Sequence, residues 1–212
     1  SAPDNTVNSL TIGGERAGQY FDWEDVLFRT AVYQTYDLSV SGGTETSNYY
    51  TSFSYTNDLG RSVINKFDRI TGRMNFGQKI GKYIELATNI NVSNSNQEGF
   101  NDTRALGNNY FLQSRNLLWG MYWPTDYVTG LPWTARYGSL AYNPVYYNNE
   151  WENWSKTQRI SANETVTLKI LPELVLRSIF SYDNTQTFDH LYYSALHFSG
   201  SSYNGSVTEN ST

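Results

Sequence analysis

The residues best equipped for chemistry fall in one stretch, 95–157. It holds the carboxylates Asp102, Asp126, Glu150 and Glu152 among others, and five of the six tryptophans. Two carboxylates roughly 5–10 Å apart across a cleft hydrolyse glycosidic bonds, but no spacing here singles out a pair. The rings suggest a different use. A Trp or Tyr plane stacks on the C–H face of a sugar while Asn and Asp bond its hydroxyls, an apolar lining with a few polar groups. Trp119, Tyr122, Trp123, Trp133 and Trp151 are therefore candidates for a substrate- or partner-binding surface. The same rings serve equally well as the packed core of the stretch, as an aromatic belt at a membrane rim, or as anchors against a protein partner. Other chemistry is sparse. The absence of Cys excludes thiolate metal sites and a Cys nucleophile. The two histidines, His190 and His197, build no nucleophilic triad and no metal-ligand spacing. No catalytic residue, metal or cofactor is read, and Asp22, Glu24 and Asp25 read as an exposed helix start.

Composition narrows the class. Of the 212 residues 22 are Asn, 22 Ser and 21 Thr, while only 17% are charged, below the roughly 25% of an ordinary soluble domain. The chain is polar without being charged. An aromatic content of 16% argues against disorder, and a net charge of −5 argues against a nucleic-acid partner. No run of 18 apolar residues offers a membrane helix. With Ser1 in place of an initiator Met and no signal peptide, the chain reads as a processed or excised piece.

The elements that must carry the aromatic stretch follow from periodicity. Residues 1–19 read as irregular and 20–32 as a short helix with Asp22 as its N-cap. From there the period is two. Segments 36–41, 49–56, 69–80, 83–93, 159–170 and 174–183 each alternate an apolar with a polar residue, the mark of antiparallel strands with one apolar face. Their connections are short at 42–47, 81–82 and 171–173, and long at 57–66, 95–157 and beyond 185. Short turns at one end and long loops at the other, joined by strands of about 9–11 residues, describe a transmembrane β-barrel. On that reading Leu38, Val40, Phe53, Phe76, Leu86, Ile90, Val166, Leu168 and Phe180 face lipid, and Arg69, Arg73, Lys169 and Arg177 face the lumen. Glu164 breaks the apolar face, so it lies near a rim, meets a neighbour or marks a bulge. Six strands do not close a barrel, of which about 8 is the smallest; the sheet belongs to a larger barrel or is completed by another chain. The rival is a soluble carbohydrate-binding β-sandwich, which would bury the apolar face under a second sheet.

Particular motifs point further. The run Trp23–Arg29 (WEDVLFR), the strand Leu38–Gly43 (LSVSGG), the strand Tyr49–Gly60 (YYTSFSYTNDLG), the pair of strands in 66–93, the segment YWPTDYVTG, Asn143-Pro144 and the hairpin at 159–183 occur in an order that resembles the start of the barrel in SusC/RagA-type TonB-dependent outer-membrane transporters. The resemblance covers about residues 20–185. It implies that residues 1–30 are the tail of a plug and its connector, and that 31–212 form the N-terminal part of a barrel of about 22 strands, with 95–157 as a long extracellular loop. It further implies a place in the bacterial outer membrane, contact with its lipid, energisation by TonB, and uptake of an oligosaccharide or peptide held beneath a SusD-like surface lipoprotein lid, without catalysis or cofactor.

Overall fold

The computed structural model describes residues 21–99, 115, 117–118, 122–126, 129–137 and 142–212. Within them lies one antiparallel sheet of seven strands in sequential order: β1 (Val32–Gly43), β2 (Ser47–Leu59), β3 (Lys66–Ile80), β4 (Ile84–Glu98), β5 (Trp151–Leu171), β6 (Leu174–Tyr193) and β7 (Ser206–Ser211). The hairpin turns β1–β2, β3–β4 and β5–β6 lie at one end and the longer connections at the other, as the loop lengths predict. The sheet is not closed, and among the described residues no second sheet covers either face, so the sandwich is not formed.

Register fixes the faces, because residues opposite one another across an antiparallel ladder share a side. One row runs Val40–Thr51–Met74–Ile90–Ala162–Tyr182, and the row beside it Leu38–Phe53–Gly72–Val92–Ile160–Asn184. All nine residues expected on the apolar face share that side. Arg69, Arg73, Lys169 and Arg177 share the other. The apolar face is bare: Leu38 is 68% and Phe180 64% exposed, which in water alone would be an aggregation hazard.

The apolar face forms a band. It covers Ile70–Ile80 on β3, Ile84–Val92 on β4, Ile160–Leu168 on β5 and Leu174–Tyr182 on β6, each close to the 9–11 residues that cross a bilayer at a tilt. At its upper edge sit Tyr36 and Tyr55, stacked with ring centroids 6.4 Å apart, and Tyr182. Aromatic rings at this level make the girdle of membrane barrels. Above the band β5 and β6 continue, reaching 21 and 20 residues, and there the strict alternation of the two faces ends.

Glu164 keeps its place on the apolar face. It pairs with Thr88 on one side and Phe180 on the other without a bulge; the register shift in this strand lies between Lys169 and Leu171. Its carboxylate accepts a hydrogen bond from Thr88 Oγ1 at 2.5 Å, which supplies a polar partner where lipid would give none.

Three details depart from the sequence reading. The expected helix over 20–32 is a single turn, α1 (Glu24–Leu27), because Phe28 already pairs with Ser62 and Arg29 N–H bonds the Arg61 carbonyl. The N-cap is Trp23 rather than Asp22, whose carboxylate one residue earlier accepts from Glu24 N–H at 2.9 Å. The connection between β4 and β5 runs over 99–150 rather than 95–157, so Trp151 and Trp154 are strand residues. The seventh strand, SVTENS, holds one apolar residue and no alternation to read.

Candidate functional site

The chain folds back over the polar face at its long-loop end. Trp151 and Tyr193 face each other across β5 and β6 on that side, their rings 6.4 Å apart. Onto them pack Trp23 and Leu27 from α1, with Leu117 and Tyr137 from the long connection. Trp23 and Leu27 are spaced i, i+4 and so share one helix face; both are buried to within 1%. This cap identifies the polar face of the sheet as the interior one and the apolar band as the outer wall.

Tyr137 is the centre of the cap. Its ring lies 4.7 Å from Tyr122, 6.3 Å from Trp133 and 6.2 Å from Trp23, and its hydroxyl donates to the Trp123 carbonyl. The irregular backbone around it is satisfied by side chains, as buried peptide groups require. Fully buried Asn143 donates from Nδ2 to the carbonyls of Pro124 (2.9 Å) and Trp133 (3.1 Å). Its Oδ1 accepts from Val145 N–H and so caps the short helix α2 (Pro144–Tyr147). Tyr147 donates to the Thr134 carbonyl at 2.6 Å.

Arg29 holds the adjoining connector. Its guanidinium donates to the carbonyls of Gly60 (3.0 Å) and Asn65 (2.6 Å), clamping the β2–β3 turn. The Trp-x-x-x-Leu-Phe-Arg spacing therefore has a local physical reason: Trp23 and Leu27 fill the cap, Phe28 bridges to Ser62, and Arg29 grips the turn.

A second cluster adjoins the first. His197 is buried among Tyr142, Tyr147, Tyr193 and Phe198, with centroids 4.2–5.7 Å away. Its Nδ1 accepts from Ser199 N–H at 3.0 Å. Burial, with help from the nearby Arg136 charge, lowers its pKa to about 4, so the ring is neutral at ordinary pH. Arg136 lies over the Phe198 ring at 4.6 Å.

The candidate rings divide accordingly. Trp151 is a buried wall of the cap, and Tyr122 and Trp133 pack against it half-buried. Trp123 is half-buried with its ring 5.6 Å from Phe21. Trp119 lies outside the described residues. The indole N–H groups of Trp133 and Trp151 are buried and have no hydrogen-bond partner among the described residues. Trp154 faces the opposite way, on the outer wall, stacked on His190 at 4.8 Å. Of the loop carboxylates, Asp126 accepts from Thr129 N–H and Oγ1 to close a turn, Glu150 accepts from Ser194 Oγ, and Glu152 approaches His190 at 3.9 Å; Asp102 lies outside the described residues. A pocket of about 550 Å³ opens where the β2–β3 turn, the end of β4 and the start of β5 meet, lined by Ile64, Lys66, Glu98, Trp151 and Trp154 among others. Sequence reasoning missed Arg29, Asn143 and His197, whose roles depend on a loop without periodicity.

No family model matches the chain. It is 26% identical over 125 residues to TonB-dependent receptor P26 of Formosa agariphila, covering 58% of this chain and 12% of that protein. It is 39% identical over 54 residues to TonB-dependent receptor SusC of Bacteroides thetaiotaomicron, covering 26% and 5%. Among solved structures it resembles a chain of the RagAB peptide importer in its closed-closed state, with TM-score 0.67 and 23% identity over 91% of this chain and 23% of that one. The open-open state of the same importer gives TM-score 0.66, covering 84% and 20%. The chain thus spans a small part of each relative. The sequential antiparallel sheet with an apolar outer band and an inward-folded cap, taken with these likenesses, gives the chain the fold of a stretch of barrel wall like that of the RagAB importer, with partial sequence similarity to TonB-dependent receptors of the SusC type.

Proposed function

We propose that this segment builds part of an outer-membrane, TonB-dependent nutrient importer, with residues 1–30 as the tail of the plug and its connector and 31–212 as the first part of the barrel. The observation that carries this is the two-sided sheet: an uncovered apolar band of membrane-crossing length on one face, and a polar face capped at one end by the chain's own connector and loop. The band meets lipid, the polar face lines the lumen, and the 99–150 connection lies outside the cell. The cargo is an oligosaccharide or peptide, and a SusD-like lipoprotein closes over the loops. The partly exposed rings of Trp123 and Trp133, with Tyr122 and Trp151 beside them and with Trp119 of the same connection, offer the aromatic surface that cargo or lid contacts. Nothing in this reading requires catalysis or a cofactor.

Labelling on intact cells tests it. Cysteine at Asn149 of the full-length protein reacts with a membrane-impermeant reagent, while cysteine at Lys82 reacts only after the outer membrane is opened. Labelling at Lys82 alone in intact cells reverses the orientation.

A further inference from the structure

The outer wall changes character at one level. On each of the first six strands the first outward-facing residue above the apolar band is Gln34, Asn57, Asp68, Asn94, Gln158 or Asn184. Five of the six are carboxamides. The belt follows the band as it steps down one row from β3 to β4 and another from β5 to β6, so it tracks the level of the band rather than a ladder row. The five amides make no side-chain hydrogen bond with the described residues, so each presents a donor and an acceptor outward. They sit just above the Tyr36, Tyr55 and Tyr182 girdle, the depth at which lipid headgroups begin.

The geometry points to this amide belt as a binding surface for the neutral sugar rings of glycolipid headgroups in the surrounding leaflet. The inference rests on the reading of the outer face as membrane-embedded. Charge decides against phosphate as the ligand. Phosphate recognition uses Arg forks or Lys point charges, and the belt holds no cation. The nearest outward lysines are engaged: Lys66 pairs with Glu98 at 3.3 Å, and Lys156 lies over the Trp154 ring at 4.4 Å. Uncharged groups that both donate and accept match sugar hydroxyls, which do the same. Repetition across neighbouring strands about 4.8 Å apart lets one disaccharide span two or three amides.

The test uses the full-length protein in nanodiscs of phosphatidylethanolamine that also contain equal amounts of digalactosyldiacylglycerol, as the neutral sugar probe, and phosphatidylglycerol, as the phosphate probe. Native mass spectrometry counts the lipids retained on delipidation. The wild type retains the glycolipid about tenfold over phosphatidylglycerol, and N94A/Q158A/N184A brings the ratio near one while the barrel keeps its heat-modifiable migration. If the triple variant does not assemble, Q158A alone decides, with a two- to threefold fall expected. Equal retention of both probes by the wild type overturns the proposal, as does an unchanged ratio in the assembled variants. A protein that inserts into no nanodisc refutes the membrane-barrel reading instead.

Discussion

Trp23 Nε1 donates to the Tyr122 carbonyl at 2.9 Å, joining residues 99 positions apart. The bond ties the segment before β1 to the long connection between β4 and β5. Trp23→Phe removes this hydrogen bond and leaves a smaller aromatic ring in the site, at a cost of about 1 kcal/mol for the bond plus that of the lost volume. Trp23→Ala empties a buried site, at about 3–5 kcal/mol. Limited proteolysis of the 99–150 connection is expected to speed up slightly in the first and strongly in the second. Heat-modifiable migration stays as in the wild type, because the strands do not depend on the cap.

The five candidate rings should separate in function. Trp123→Ala and Trp133→Ala are expected to lower cargo uptake about tenfold with assembly intact, since a stacked ring contributes about 1–3 kcal/mol by Ala substitution. Trp151→Ala removes a wall of the cap and is expected to open the loop to protease as Trp23→Ala does. Unchanged uptake in both the Trp123 and Trp133 variants removes these rings from the cargo or lid surface.

His197 gives the cap a pH dependence with a definite sign. Its folded pKa of about 4 lies below the ordinary 6.5, so the opened state binds the proton first. The stabilisation is complete above pH 6.5, declines as pH falls towards 4, and changes no further below that. The full difference is about 3 kcal/mol. Trp and Tyr fluorescence of the cap, followed from pH 7 to 4, should report this loosening. His197→Phe should flatten the profile.

Glu164 tests which solvent the outer face meets. In lipid, Glu164→Lys places a cation among Phe76, Ile90 and Phe180 and costs about 2–4 kcal/mol near mid-depth, which should lower the thermal midpoint of the barrel. Glu164→Gln keeps a polar partner for Thr88 and should leave the midpoint nearly unchanged. Were this face in water, both would be nearly neutral.

Much of the sheet was legible in the residues and the cap was not, for physical reasons. Within the band the two faces meet different solvents, so 84–92 and 160–168 alternate sharply and give away both strand and face. Above the band both faces meet water or polar neighbours; in Trp151–Gln158 the alternation fades, and the strand ends were read too short by several residues. Strand β7 lies wholly in that regime. Val175 and Ile179 face the interior against the pattern, a reminder that a lumen filled by another part of the chain need not be polar. In the cap the aromatic count was visible, but not that Tyr137 would be its centre or that Asn143 would satisfy two carbonyls. Those roles come from long-range packing in a segment with no period. Several uses were open for the rings; Trp151 is buried in the cap, with Tyr122 and Trp133 packed half-buried against it.

The cap also sets an order of events. Its core joins α1, the middle of the long connection and the ends of β5 and β6, so the cap is complete only once the chain has reached Tyr193 and the β5–β6 hairpin has closed. Contacts so distant in sequence carry their loop-closure entropy before any burial repays it, whereas the hairpins need only neighbouring residues. The wall therefore forms first and the cap last. Until the cap closes, Trp133 lacks the Trp151 and Tyr193 wall of the cluster it packs against, so pulse proteolysis during refolding is expected to cut the 99–150 connection sooner than the hairpins.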